Sequence, residues 1–106
     1  MKMKYEMLDI LACPMDKKHP LELIVLEEGW RENRTKDGDL IRWLEIRTGV
    51  LYCGSCGRWY PIADEIPTML PDDLRKREED LRFLERYRGQ LPDKITSGGK
   101  PFNLRE

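Results

Sequence analysis

The three cysteines of this chain constrain its fold more than any other feature. Cys53 and Cys56 enclose a tight C-x-x-C turn in the stretch CGSCG, whose glycines suit a turn because glycine readily adopts positive φ. Cys13 opens the stretch CPMD, which has the same spacing but ends in Asp16 where a second cysteine is expected. An odd number of cysteines does not close a framework of disulfides, so the sequence points to another use for these thiols.

A metal site is the use that this spacing favours. Structural zinc takes four ligands in a tetrahedron, mostly thiolates and imidazoles, and a carboxylate oxygen can fill one position. The sequence therefore predicts zinc held by Cys13, Asp16, Cys53 and Cys56. His19, the only histidine, is the rival fourth ligand. An aspartate weakens a soft-ligand site, so the sequence leaves open whether zinc is retained.

Two other uses of the cysteines compete with a metal site. Free cysteine is a good buried hydrophobe, so the thiols can form a small packed cluster with Asp16 as a surface turn residue. A redox pair is less favoured, because a thioredoxin-like pair opens a helix in a βαβ unit, and strand-like segments flank Cys53 and Cys56. The sequence has no glycine-rich phosphate loop and no G-x-S-x-G signature, so we expect no catalytic residues and no enzyme activity.

The overall composition limits the number of domains and the classes of partner and cellular location that we expect. A chain of 106 residues makes one domain with a modest core, and its 40% hydrophobic and 37% charged residues are typical of a globular protein with a charged surface. The net charge of -1 gives no strong field that favours nucleic acid. The longest stretch without a formal charge, residues 48–57, is too short to span a membrane. Glu6 and Asp9 interrupt the apolar start, unlike in a signal peptide, so we expect a cytoplasmic protein.

The apolar pattern predicts strands between two helical regions. A short helix is predicted at residues 4–12, because Pro14 prevents its continuation. Strands are predicted at residues 21–28, 40–47, 49–53 and 57–62. The polar stretch between the first two is a loop or the tip of a long hairpin.

The C-terminal third changes character after Pro71. Residues 72–91 are predicted as one amphipathic helix whose apolar face carries Leu74, Leu81, Leu84, Tyr87 and Leu91. Residues 92–106 are predicted as a flexible tail.

Three motifs in order resemble a known family. Residues 7–14 are similar to its L-L-x-x-L-x-C-P start, residues 53–56 to its second cysteine turn, and residues 60–70 to its Y-P-I-x-x-x-I-P-x-x-L segment. Over residues 4–71 the chain thus resembles the TRM one-twelve family, in particular its compact archaeal members. Asp16 departs from the four-cysteine pattern of that family, which puts metal retention in doubt but not a partner role.

The resemblance implies a fold and a function. The fold would be α+β, a small zinc-ribbon-like antiparallel sheet with an N-terminal helix and an additional C-terminal helix. Residues 1–71 would form the domain, residues 72–91 the added helix and residues 92–106 the tail. The chain would be a non-catalytic subunit that forms a heterodimer with S-adenosylmethionine-dependent methyltransferases acting on tRNA, rRNA or translation release factor, and that stabilises and activates them.

The segment EIPTML, residues 65–70, is the predicted contact with such a partner. It is extended and apolar, so its backbone can add to a sheet edge. The predicted partner-binding residues are Leu8, Leu11, Ile62, Ile66, Pro67, Thr68, Met69 and Leu70. The alternative is that these side chains fill the core of the domain itself.

A second function stays open from the sequence, a stand-alone zinc-ribbon module that binds RNA. Aromatic and basic groups used on single strands are present at Trp30, Arg31, Arg34, Lys36, Trp43 and Arg47. Acidic residues share the same region, so no clean basic stripe emerges. RNA contacts inside a methyltransferase complex remain compatible with this composition.

Overall fold

The fold is built around a four-stranded antiparallel sheet in the order β1-β2-β3-β4. A computed structural model describes residues 3–105. The strands are β1 (Glu22–Arg34), β2 (Leu40–Tyr52), β3 (Trp59–Ala63) and β4 (Ile66–Pro67). The α-helices are α1 (Arg77–Arg86) and α2 (Asp93–Thr96), and short 3-10 helices lie at Tyr5–Asp9 and Asp72–Leu74. The expected α+β class with an antiparallel sheet is confirmed.

A long hairpin formed by β1 and β2 dominates the sheet. The first strand continues past its predicted end at residue 28 to Arg34, and the two segments predicted at residues 40–47 and 49–53 are one continuous strand, β2. The polar stretch between β1 and β2 is the hairpin tip, with Gly38 at a φ of 86°. The sequence pattern missed the outer part of β1, residues 29–34, because its side chains are mostly polar and solvent-facing, whereas strand pairing depends on backbone hydrogen bonds.

Two hydrophobic cores lie on the two faces of this sheet. Successive side chains of a strand point to opposite faces, so Val50 and Leu51, and likewise Trp59 and Tyr60, enter different cores. We call the first the metal-side core; it contains Met3, Cys13, Leu21, Ile46, Leu51, Cys53, Tyr60 and Ile62. The second is the helix-side core, which contains Val50, Trp59, Leu84, Leu91 and Ile95.

The N-terminal helix is shorter than predicted. It is a 3-10 helix of 5 residues, Tyr5–Asp9, rather than a helix over residues 4–12. Met3 and Lys4 are unable to join it because they pair with β2: the carbonyl of Met3 accepts a hydrogen bond from Ile46, and Lys4 bridges to Glu45. Sheet pairing therefore overrides the helical pattern at this end.

The predicted helix over residues 72–91 is divided in two. A 3-10 turn is followed by Arg75 in an extended conformation, and α1 begins only at Arg77. The break lets the buried Arg75 guanidinium donate to the carbonyl of Trp59 at 2.6 Å and pair with Asp80 at 2.8 Å. Leu84 and Leu91 are buried as the pattern predicts, but Leu74, which precedes the break, is 57% exposed.

The segment predicted as a flexible tail instead packs on the sheet. Ile95 of α2 is fully buried in the helix-side core. The Nε1–H of Trp59 donates to the carbonyl of Phe102 at 2.9 Å, and Lys100 forms a parallel bridge with Arg58. Burial of one isoleucine and backbone pairing to β3 thus give order to a stretch whose composition is mostly polar.

Candidate functional site

Two turns with the same backbone geometry meet at one end of the sheet. We call residues 13–18 the first cysteine turn and residues 53–58 the second. In each, the carbonyl of the leading cysteine accepts a hydrogen bond from the N–H four residues later, at 2.8 Å for Cys13 and 2.9 Å for Cys53. Each leading N–H donates to the carbonyl five residues later, at 3.0 and 2.8 Å. The fifth residue has positive φ in both, 65° at Lys17 and 81° at Gly57.

This shared geometry places Asp16 in the position that Cys56 occupies in the second turn. The ligand atoms of Cys13, Asp16, Cys53 and Cys56 all lie within 4.8 Å of one another. The sulfurs of Cys13 and Cys56 are 3.8 Å apart, and the sulfur of Cys53 is 3.4 and 3.5 Å from the two oxygens of Asp16. The structure therefore brings all four predicted ligands together.

The spacings fit a tetrahedral zinc ion. Two sulfurs bound at 2.3 Å lie about 3.8 Å apart in a tetrahedron, and a sulfur and an oxygen lie about 3.6 Å apart. The observed sulfur–sulfur separation of 3.8 Å and sulfur–oxygen separations of 3.4 and 3.5 Å agree with these values. Three thiolates and one carboxylate can thus hold a divalent metal, and bound zinc would supply a structural crosslink between the two turns.

His19 lies outside this group of ligands. Its side chain is exposed, and Nδ1 lies 2.9 Å from the carbonyl oxygen of Leu11. Among the described residues, the atoms that converge on a metal position are the three sulfurs and the carboxylate of Asp16. The fold therefore assembles the ligand set with Asp16 and not the alternative set with His19.

Asp16, Cys53 and Cys56 differ in how readily they become charged. The backbone N–H of Lys18 donates to Asp16 at 2.9 Å and holds the pKa of that carboxyl down to about 2. Burial raises the pKa of the Cys53 thiol to about 11. Burial also opposes the Cys56 thiolate, but hydrogen bonds from Arg58, together with those from Cys53 and Cys13, outweigh it and lower the pKa of Cys56. Metal binding must therefore displace a proton from Cys53, which makes it pH-dependent.

Tyr60 adds a contact that sequence reasoning missed. Its hydroxyl lies 3.0 Å from the sulfur of Cys13, and both side chains are fully buried in the metal-side core. Burial, together with this hydrogen bond, raises the pKa of Tyr60, so the phenol stays protonated and can donate to a thiolate. Tyr60 belongs to the Y-P-I motif, so the sequence marked it as a family residue. The sequence does not show that its hydroxyl contacts the sulfur of Cys13.

The predicted partner segment is only partly exposed. Ile66 and Pro67 form β4, the edge strand beside β3, and the N–H of Thr68 donates to the carbonyl of Pro61 at 2.9 Å. Ile66 is 50% exposed and Leu70 is 37% exposed. These side chains are available to a partner, whereas Pro67 is buried.

Other predicted contact residues belong mainly to the core. Ile62 is fully buried within the metal-side core, so its side chain has no surface to offer a partner in the folded chain. It points inward because it alternates with the partly exposed Pro61 along β3. Leu8, Leu11 and Met69 are half-buried and pack against the same core. They can contribute only their outer edges to a binding surface.

A cleft adjoins the exposed part of this segment. It lies between β3, the stretch after β4, and α1, and has a volume of about 320 Å³. Thr68, Leu70, Leu74 and Phe83 line it, above the buried Arg75. Leu74 was assigned to the inner face of a helix and is instead 57% exposed at this cleft. The 3-10 turn, through Leu74, and α1, through Phe83, therefore contribute to the apolar surface around Leu70.

Several basic residues of the hairpin are paired with acids. Arg31 forms ion pairs with Glu45 and Glu65, and Arg47 lies 4.0 Å from Glu65. The Nε1–H of Trp43 donates to Glu45 at 2.7 Å. These contacts use two of the candidate cations and one indole within the fold, and Arg34 donates to the carbonyl of Gly38 at 3.1 Å. The described residues therefore do not present a continuous basic stripe for RNA.

The chain matches a family model described as Trm112p-like protein over residues 4–65, more than half of its length. The matched part contains both cysteine turns and the first three strands. No match was found among curated proteins, and none among solved structures. Within residues 3–105, helices are too short and too polar to cross a bilayer. The extent of the match confirms the resemblance seen in the motifs: the chain belongs to the Trm112p-like protein family.

Proposed function

We propose that this chain is a non-catalytic subunit that forms a heterodimer with S-adenosylmethionine-dependent methyltransferases acting on tRNA, rRNA or translation release factor. Membership of the Trm112p-like family is the observation that carries the proposal, because it indicates a partner or activator of methyltransferases in general. In this role the chain supplies a binding surface and contributes no catalytic residue.

The exposed apolar side chains beside the cleft support a surface of this kind. Leu70 and Leu74 present 37% and 57% of their areas, and Ile66 presents 50% on the adjacent edge strand. We call Ile66, Leu70 and Leu74 the apolar patch. Apolar side chains at an edge strand can bury against a partner while its backbone pairs with that edge. β4 is the last strand of the sheet, so a partner strand can approach it from outside.

Activation would follow from binding alone. A partner that binds only the folded methyltransferase stabilises it by RT ln(1 + [L]/Kd), about 2.7 kcal/mol at a hundredfold excess over Kd. Covering an apolar surface of the enzyme also removes a site of aggregation. Neither effect requires the chain to touch the reacting atoms.

Co-purification tests this proposal. The tagged full chain is recovered from native extract of its source cells, and bound proteins are identified by mass spectrometry. We expect S-adenosylmethionine-dependent methyltransferases among them. If the folded chain captures no methyltransferase, the proposal is wrong.

A matched pair of leucine variants locates the contact. Leu70→Asp places a charge in the apolar patch and should abolish capture of the methyltransferase. Leu40→Asp is the control, because Leu40 is 50% exposed but lies beside the hairpin tip, away from the patch. Equal loss in both variants, or in neither, would show that the patch is not the contact surface.

A further inference from the structure

The buried hydroxyl of Tyr60 is a polar group whose role the partner function does not explain. It is carried on β3, and its oxygen lies 3.0 Å from the sulfur of Cys13. Both residues are fully buried among the apolar side chains of the metal-side core. A hydroxyl left without a hydrogen bond in such a place costs about 1–3 kcal/mol, so phenylalanine would serve better if packing were the only requirement.

The negative charge of a metal-loaded site would explain why a hydroxyl is buried at this position. Three thiolates and one carboxylate around a divalent ion leave a formal charge of minus two, and two of the sulfurs, those of Cys13 and Cys53, are buried. Negative charge in an apolar interior is costly unless hydrogen-bond donors compensate it. Asp16 faces solvent, but Cys13 and Cys53 do not, so both of these thiolates need donors from the protein. The hydroxyl of Tyr60 lies at the sulfur of Cys13.

We propose that Tyr60 is a positioning residue for the metal site, which holds the sulfur of Cys13 in place and stabilises its thiolate through an O–H···S hydrogen bond. Tyr60 is not a metal ligand; it acts through Cys13. The inference concerns the metal site and does not depend on which protein the chain binds.

The hydrogen bond favours the loaded state for a physical reason. A hydrogen bond to a charged acceptor is roughly twice as strong as one between neutral groups. A metal-bound Cys13 is a thiolate, so a hydrogen bond from Tyr60 stabilises the charged ligand that the loaded site requires. Loss of that hydrogen bond should therefore lower the affinity for the metal.

The test compares Tyr60→Phe with Tyr52→Phe. The first substitution removes only the hydroxyl at Cys13. The second removes a hydroxyl from a residue that packs against the helix-side core, on the other face of the sheet. Zinc affinity is measured for the full chain by competition with a chromophoric chelator. Loss of an outer-shell hydrogen bond typically weakens metal binding about 10- to 100-fold, so we expect at least about a tenfold loss for Tyr60→Phe and little change for Tyr52→Phe.

A spectroscopic readout separates positioning from packing. With cobalt(II) in place of zinc, the thiolate-to-metal charge-transfer band reports the electron density on sulfur. Removal of a donor raises that density, so the band of Tyr60→Phe should move to longer wavelength. This measurement uses metal-loaded protein, so it remains decisive even where the metal-free variant is poorly folded.

Four outcomes would overturn the inference. They are unchanged affinity in Tyr60→Phe, a loss of affinity with an unmoved cobalt band, an equal loss in Tyr52→Phe, and a wild-type chain that does not bind zinc. The second would show that the hydroxyl matters only for folding, and the third that any lost hydroxyl has the same effect.

Discussion

The C-terminal segment provides the sharpest test of the fold, through Ile95→Ala. Ile95 is fully buried against Val50, Trp59 and Leu84 in the helix-side core. Truncation of a buried isoleucine to alanine costs about 2–5 kcal/mol, because it loses apolar burial and leaves a cavity. In a domain of this size each kcal/mol lowers Tm by about 4–8 °C, so we expect Tm to fall by about 10 °C or more.

The assay must keep metal occupancy the same in all variants, since a bound ion adds its own stabilisation. Thermal and urea unfolding of the full chain, followed by circular dichroism with a chelator present, meet this condition. Ile10→Ala is the matched control, because Ile10 is 73% exposed and its truncation should change stability by less than about 0.5 kcal/mol. If Ile95→Ala unfolds like this control, residues 92–106 do not pack on the sheet and the flexible tail predicted from composition is correct.

Three further predictions concern the charged and metal-binding residues. Asp16→Cys should raise zinc affinity, because a thiolate is a softer ligand than a carboxylate; a chelator competition that shows no change would place Asp16 outside the site. Arg75→Met should cost about 3–5 kcal/mol in denaturant unfolding, because it leaves the buried Asp80 carboxylate without its charged partner, and adding Asp80→Leu should recover most of that loss. A neutral effect of Arg75→Met alone would show that the pair contributes little. Hydrogen bonds from Arg58 lower the pKa of Asp72, so this ion pair stabilises the fold above the unfolded pKa of about 3.9 and its contribution is lost as pH falls through the lower folded value. Asp72→Asn should remove that part of the acid dependence of Tm, and a curve parallel to the wild type would contradict it.

Features with a local cause were predictable from the sequence. Each cysteine turn depends on residues within six positions of each other, so the shared spacing was enough to propose Cys13, Asp16, Cys53 and Cys56 as one ligand set. The strands with apolar alternation were found for the same reason, because their pattern repeats over a few residues. The choice between Asp16 and His19 came only from the structure.

Features with a distant cause were not predictable. The helix after Pro71 breaks at Arg75 because the carbonyl that accepts its guanidinium belongs to Trp59, far along the chain. Ile95 is a single apolar residue in a polar run, and it is buried because the chain brings it into the helix-side core with Val50, Trp59 and Leu84. The inward direction of Ile62, predicted as a contact residue, likewise depends on how β3 pairs with β2.

The two cores share β2, and this has a consequence for strand alignment. Val50 and Leu51 are neighbours that serve opposite cores, and Cys53 follows directly at the end of the same strand. A slip of one residue would exchange the faces of all these side chains and move the sulfur of Cys53 out of reach of the ion. A bound metal would therefore disfavour a shift in strand register. The alignment of the whole β1–β2 hairpin would then depend on whether the site at its end holds a metal.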